Sequence, residues 1–172
     1  LLIIMLIHVF KMSISLELKK SGYSLKDISL LSSVGTILVL PFPYLLGYLE
    51  KYFNSKNLLL FCYLVTIGAF LLLGFTQNYF GLALAISCIS ILAYASVTPV
   101  MSLLHQWHER TTFGKAQTYY GNMAWLAAII GYTLTGQLLE KTSFQTTVWV
   151  GLVIAVLASL LLWVGVRNGA EK

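Results

Sequence analysis

Charges in this chain are confined to short islands, and the gaps between them restrict what it can fold into. No residue is charged from Ile28 to Leu49, from Ala116 to Leu139, or from Thr142 to Val166. Each gap matches the roughly 20 apolar residues a helix needs to cross a hydrocarbon core of about 30 Å. A fourth gap, Asn57 to Leu104, is too long for one crossing, and the polar turn Thr76-Gln77-Asn78-Tyr79 divides it in two. The apolar opening, Leu1 to about Leu18, supplies a sixth. The expected spans are 1–19, 28–49, 57–76, 80–104, 114–139 and 144–166.

The apolar runs are continuous and lack the alternation of a lipid-facing strand. In hydrocarbon every backbone N–H and C=O needs an internal partner, which runs of this length provide as helices. Short turns at Ser21-Gly22-Tyr23-Ser24 and Glu140 to Ser143 make sequential neighbours antiparallel. The fold class that follows is an all-α membrane protein, a bundle of about six transmembrane helices in a single unit over 1–172. Leu1 stands inside an apolar run with no basic segment or cleavage site, so a cut end is expected, with further chain preceding it.

Composition agrees. Charged residues are 10% of the chain and hydrophobic ones 58%, whereas an ordinary soluble domain is roughly 25% charged. A soluble fold of this make-up would expose large apolar patches and associate. The net charge of +5 does not point to nucleic acid, because the 11 basic residues are scattered singly and form no stripe. They sit where membrane-flanking Lys and Arg sit. Lys51, Lys56, Arg110, Lys115, Arg167 and Lys172 fall on the side of Leu1, and Lys19, Lys20, Lys26 and Lys141 on the other. That bias makes the Leu1 side cytoplasmic and suits a multi-pass protein of the plasma membrane. Cys62 and Cys88 fit no metal or redox spacing and read as small buried side chains.

Lys11 is the most informative single residue. With the first helix running to about Leu18 it lies well inside the bilayer, and His8, Lys11 and Ser15, at i, i+3 and i+7, share one face. An ionisable side chain at that depth costs at least ~2.5 kcal/mol on insertion scales and as a rule faces a cavity, a partner or an ion path. It marks a site for a substrate anion or for proton coupling, unless the helix ends early and the lysine snorkels to the interface. Span two carries Pro41 and Pro43, and span four Pro99. Each is a gating hinge or a static kink, since proline lacks a backbone donor and disturbs the helix one turn earlier.

Span four is rich in hydroxyls, with Ser87, Ser90, Tyr94 and Thr98 at helical spacing. They line a wet face or make interhelical hydrogen bonds. Span five sets Gly121, Ala124, Ala128, Gly131 and Thr135 along one face, which suits close helix packing, as does Gly136. Asn122 and Trp125 are the members of that span suited to meet a substrate. His105, His108 and Glu109 make a weak metal pattern with no further ligand, so no metal site is expected. Nor is there a nucleophile motif, a paired intramembrane acid or a phosphate-cradling loop, which argues against an enzyme and against a cofactor.

The loops resemble a known family. Gly47-Tyr48-Leu49-Glu50-Lys51-Tyr52-Phe53-Asn54-Ser55-Lys56 is similar to the Gly-x-Leu-x-Asp-Arg-x-Gly-Arg-Lys signature of the major facilitator superfamily. Gly47, Leu49 and Lys56 match, while Lys51 stands where the acid belongs. The junction Glu109 to Gln117, with Arg110 and Gly114, resembles that family's loop into its eleventh helix. Gly131-Tyr132-Thr133-Leu134-Thr135-Gly136 resembles that helix in drug exporters. Tyr94 to Pro99 resembles the end of the tenth helix, and Ser21 to Ser24 the turn between the seventh and eighth.

The resemblance covers essentially the whole chain and implies the C-terminal six-helix half of a transporter, paired with an N-terminal half around a central cavity. It implies secondary active transport of a small organic molecule by alternating access, ion-coupled, with export favoured over uptake. Spans one, two, four and five would face the cavity, and spans three and six the lipid. His8, Lys11 and Ser15 would bind substrate or couple, Tyr94, Thr98, Asn122 and Trp125 would line the path, and Arg110 and Lys56 would be cytoplasmic loop charges. The alternative is a non-transporting assembly or regulatory protein with the same fold, consistent with the lost acid at Lys51.

Overall fold

The structure, a computed structural model, describes residues 2–76, 78–108 and 110–165; the side chains at 2–6, 8, 9, 35, 36, 39, 91–93, 110 and 111 lie outside that description. The described residues form eight α-helices and no strand. In chain order these are α1 (Leu2–Lys20), α2 (Leu25–Val39), α3 (Phe42–Leu49), α4 (Ser55–Phe75), α5 (Tyr79–Ala95), α6 (Val97–Trp107), α7 (Arg110–Lys141) and α8 (Phe144–Gly165).

The tight turns follow from local chemistry. Gly22 takes φ 87°, a left-handed conformation open to glycine at little cost. It lets the Gly22 N–H reach the Lys19 carbonyl at 3.2 Å and the Tyr23 N–H reach the Leu18 carbonyl at 3.1 Å. These two bonds close the end of α1 in a Schellman motif. Ser24 then starts α2 as a capping box. Its hydroxyl accepts the Asp27 N–H at 3.2 Å and the Asp27 carboxylate accepts the Ser24 N–H at 3.3 Å. Ser143 caps α8 in a similar way, accepting the Thr146 N–H at 3.2 Å.

The prolines explain why two apolar runs are each a pair of helices. Proline lacks an N–H and its ring collides with the carbonyl four residues earlier. For Pro43 that residue is Val39, where α2 ends; for Pro99 it is Ala95, where α5 ends. The joining residues keep right-handed helical dihedrals, Leu40 at φ −52°, ψ −41° and Ser96 at φ −65°, ψ −17°. Each pair is therefore one interrupted path and not two helices joined by a loop. By contrast α7 continues unbroken for 32 residues, about 48 Å at the α-helical rise.

Two helices among the described residues, α4 and α8, are long and apolar enough by themselves to cross a membrane. The all-helical architecture agrees with the sequence reading. Length and apolarity alone mark two crossings and not six, because the prolines cut the second and fourth runs into helices of 15, 8, 17 and 11 residues. In addition, α1 and α7 carry more polar groups.

The main core gathers one face of each surrounding helix. Ile7, Phe10, Ile14 and Leu18 of α1, at three- and four-residue steps, meet Leu31 of α2, Phe70 and Leu73 of α4, Ile86 and Ile89 of α5, and Val148 and Ala155 of α8. Phe10 is fully buried, edge-on to Phe70 with ring centroids 3.9 Å apart. Gly151 of α8 lies beneath it, since a Cβ there would come within 2.5 Å of the Phe10 ring. A smaller cluster joins Leu46 of α3 to Leu58 and Cys62 of α4 and to Ala95.

Helices α4 and α8 are antiparallel and are fastened at both ends. The Gln145 amide donates to the Gly74 carbonyl at 2.8 Å, and the Lys56 ammonium donates to the Trp163 carbonyl at 3.2 Å. Each bond satisfies a carbonyl left open in the last turn of the other helix. The outward face of α8, including Val153, Leu157, Leu160, Leu161 and Val164, is a continuous exposed aliphatic surface.

Candidate functional site

The rotation of α1 decides where Lys11 goes. With Phe10, Ile14 and Leu18 turned into the core, Lys11 and Ser15 fall on the neighbouring face and are half-buried. There the Lys11 ammonium lies over the ring of Tyr94 from α5, with Nζ 5.3 Å from the centroid. That is within the ~6 Å at which a cation is held by the ring quadrupole. Tyr94 keeps 48% of its surface exposed, so its ring serves Lys11 and remains accessible. The Ser15 hydroxyl donates back to the Lys11 carbonyl at 2.7 Å, so its proton is committed to the helix backbone. The side chain of His8, expected on the same face, lies outside the described residues.

The other hydroxyls of this run do not share one wet face. Ser87 donates to the Ala83 carbonyl of its own helix at 2.9 Å. Ser90 is buried and its hydroxyl has no partner. The methyl of Thr98 sits 4.0 Å from where a Cβ on Gly47 would stand, an ordinary contact that packs α6 on α3. Asn122 and Trp125 are both exposed on α7, Trp125 at 75%. Asn122 lines an open groove of about 590 Å³ with Gly114, Lys115, Thr118 and Tyr119. The structure thus brings Lys11 to Tyr94, Thr98 to Gly47, and Asn122 to Gly114.

The sequence model of the Major Facilitator Superfamily matches residues 1–172. The chain belongs to the major facilitator superfamily. No curated protein and no solved structure matches it. Membership makes this facilitator chain part of an integral membrane protein that moves small solutes, in a family of transporters and not of enzymes.

The residues that carry the family resemblance lie at helix ends more than in loops. Gly47 and Leu49 belong to α3, Lys56 to the first turn of α4, and Gly114 to α7, which begins at Arg110. The reason is local: the Asn54 side chain accepts the Lys56 N–H at 3.1 Å and starts α4 immediately after a short turn. The side chain of Arg110 lies outside the described residues. At Lys51, where the family signature has its acid, the ammonium lies over the Tyr48 ring at 5.4 Å. Tyr48 and Tyr52 face each other with hydroxyls 3.2 Å apart, and this bond pushes the Tyr52 phenol above its ordinary pKa.

Lys56 fastens the start of α4 to the end of α8. Its cation meets the carbonyl end of α8, where the helix dipole is negative. Lys56→Met is expected to lower stability by roughly 1 kcal/mol, and Lys56→Arg to restore most of it. Thermal unfolding of the purified protein checks both.

On α7 the small-residue face is drawn by Ala127, Ala128, Gly131 and Thr135, all buried, and α1 packs more extensively on α7 than on any other helix. Gly121 and Gly136 are half-buried and a Cβ at either would meet no atom within 4 Å. The residues that sequence reasoning missed are Phe10, Gly151 and Gln145. The visible signal for Gln145 was a lone amide in the first turn of an otherwise aliphatic helix.

Proposed function

We propose that this facilitator chain is the C-terminal half of a secondary active transporter for a small organic molecule. The observation that carries the reading is the half-buried Lys11 ammonium over the accessible Tyr94 ring, midway along α1 and near the end of α5. A charge at that depth is costly and is kept where it meets cargo, a coupling ion or a counter-charge. Six spans are proposed: α1, the α2–α3 path, α4, the α5–α6 path, α7 and α8. The N-terminal half of the same transporter would close the cavity over α1, α5 and α7, while the fastened α4–α8 pair faces lipid in the plasma membrane. Alternating access is rocking of one half against the other, driven by an ion gradient, with export the favoured direction. The interruptions around Pro41, Pro43 and Pro99 serve as its bending points.

The six-span arrangement has a direct test in sided thiol labelling of intact cells, with Cys62 and Cys88 replaced by serine. Ser21→Cys and Thr142→Cys are expected to react with an impermeant maleimide from outside, and Tyr52→Cys only after permeabilisation. Labelling of Tyr52→Cys from outside contradicts it. The binding role is tested at Tyr94. If the ring face is what matters, Tyr94→Phe keeps proteoliposome flux within about twofold, while Tyr94→Ala loses about tenfold. Equal losses would assign the role to the hydroxyl instead.

A further inference from the structure

We infer that the transported molecule is an organic anion, with a carboxylate or phosphate-type group received by Lys11 and an apolar part lying along the Tyr94 ring. The inference rests on the transport reading above and narrows it to a substrate class.

Charge balance around Lys11 selects the anion. A half-buried ammonium in an apolar helix is stable only with a compensating negative partner or with water. The Tyr94 ring offers a partial one at 5.3 Å, but a quadrupole does not neutralise a full charge. The Ser15 proton is spent on the Lys11 carbonyl. The four described acids all lie at helix ends: Glu17 in the last turn of α1, Asp27 in the first turn of α2, Glu50 after α3 and Glu140 in the last turn of α7. Asp27 is occupied by its own capping box. Glu17, nearly two turns beyond Lys11, lines a separate cavity of about 220 Å³ with Ser21, Ser143 and Gln145. Helices α4, α5, α6 and α8 contain no acid in their described residues. A cationic cargo at Lys11 would meet like charge with no carboxylate among the described residues of these helices to hold it. An anion completes a charge-assisted contact and leaves the ring to its apolar body.

The test uses the full-length protein in lipid nanodiscs and four probes that share one aromatic ring: phenylacetate, benzylphosphonate, phenethylamine and phenylethanol. Both acids are expected to raise the thermal unfolding midpoint of the wild type and of Lys11→Arg by several degrees, and to leave Lys11→Met unmoved. The amine and the alcohol should shift none of them. The relative response to the two acids tells a carboxylate site from a phosphate site. A wild-type measurement stands beside this in case Lys11→Met folds poorly. Acylation of Lys11 by a succinimidyl ester, read by peptide mass spectrometry, is expected to fall at least threefold with either acid and not with the amine. A midpoint shift by the amine or the alcohol that disappears in Lys11→Met overturns the anion class and leaves the Lys11 site of the transport reading standing. A shift by the acids that persists in Lys11→Met, or no response to any probe, overturns the assignment of an anion to Lys11.

Discussion

Lys11→Ala is expected to reduce transport by about 30-fold or more, since removing the cation that receives a charged cargo costs about 2–5 kcal/mol and each 1.4 kcal/mol is a factor of ten. The loss should appear with little change in the amount of protein reaching the membrane. Lys11 is half-buried, and among the described residues its ammonium makes no hydrogen bond and lies over the Tyr94 ring. Removing it relieves the insertion penalty of a charged side chain, so the variant should be as stable as the wild type or slightly more so. Lys11→Arg should retain a measurable fraction of flux, because it keeps the cation while changing its shape. The check is initial-rate flux in proteoliposomes at matched protein density, with thermal unfolding of the same preparations. Normal flux in Lys11→Ala assigns the lysine to an interface role and removes it from the pathway.

Phe10→Ala is expected to have the largest effect on stability, about 3–5 kcal/mol, by analogy with other buried Phe truncations. Phe10 is completely buried and stands edge-on to Phe70, which is almost completely buried too. Gly151 closes the site from α8, and its lack of a side chain is what admits the ring: a Cβ there would lie 2.5 Å from Phe10 and 3.2 Å from Phe70. Gly151→Ala should therefore destabilise by about 1–3 kcal/mol through overpacking, although alanine is the better helix former. Gly68→Ala is the control. A Cβ at Gly68 meets nothing within 4 Å, so this variant should gain up to about 1 kcal/mol from helix propensity. Thermal unfolding of the three variants in one detergent separates these outcomes. If Gly151→Ala and Gly68→Ala behave alike, the α1–α4–α8 contact is not as close as described.

The two predictions are linked through the rotation of α1. Phe10 and Lys11 are consecutive, about 100° apart around the helix. Locking Phe10 between Phe70 and Gly151 leaves Lys11 one direction to take, toward Tyr94. Phe10→Ala should thus lower flux as well as stability, while Lys11→Ala lowers flux alone.

Much of this helical layout was legible in the charge pattern. The part of the Asn57 gap that precedes the Thr76–Tyr79 turn falls within α4, Ser55–Phe75, and α8, Phe144–Gly165, lies inside the gap beginning at Thr142. Gly22 and Ser24 announced their turn because their chemistry is local. The prolines also announced an interruption, and the i−4 collision places it at Val39 and Ala95. Less visible was the reach of α7 back to Arg110. Its opening residues are polar, and polarity marks the end of an apolar run without marking the end of a helix. The Phe10–Phe70–Gly151 contact was not legible at all. It depends on which faces of three helices meet, and almost uniformly apolar segments such as α4, α5 and α8 carry little amphipathic signal to say so. The same holds for the fastening of α4 to α8 by Gln145 and Lys56.

For the site, sequence reasoning singled out Lys11 from its depth and Tyr94 from its position in a polar-rich run, but nothing linear joined them. Their 5.3 Å contact is a product of α1 packing on α5. The reading of Ser15 as a member of the site depended on helix spacing. The structure shows why spacing is insufficient: the hydroxyl has a backbone carbonyl within reach at 2.7 Å.

The central claim is that this facilitator chain works in a protein that carries a small molecule across a membrane. The most direct measurement loads proteoliposomes of the full-length protein with a defined mixture of small anionic, cationic and neutral metabolites and imposes a proton gradient. Mass spectrometry then follows which solutes cross. One solute or a few related ones should cross far faster than in protein-free vesicles, and Lys11→Ala should abolish the difference. If correctly inserted protein moves no solute faster than empty vesicles, with the gradient imposed in either direction, the transport reading is contradicted.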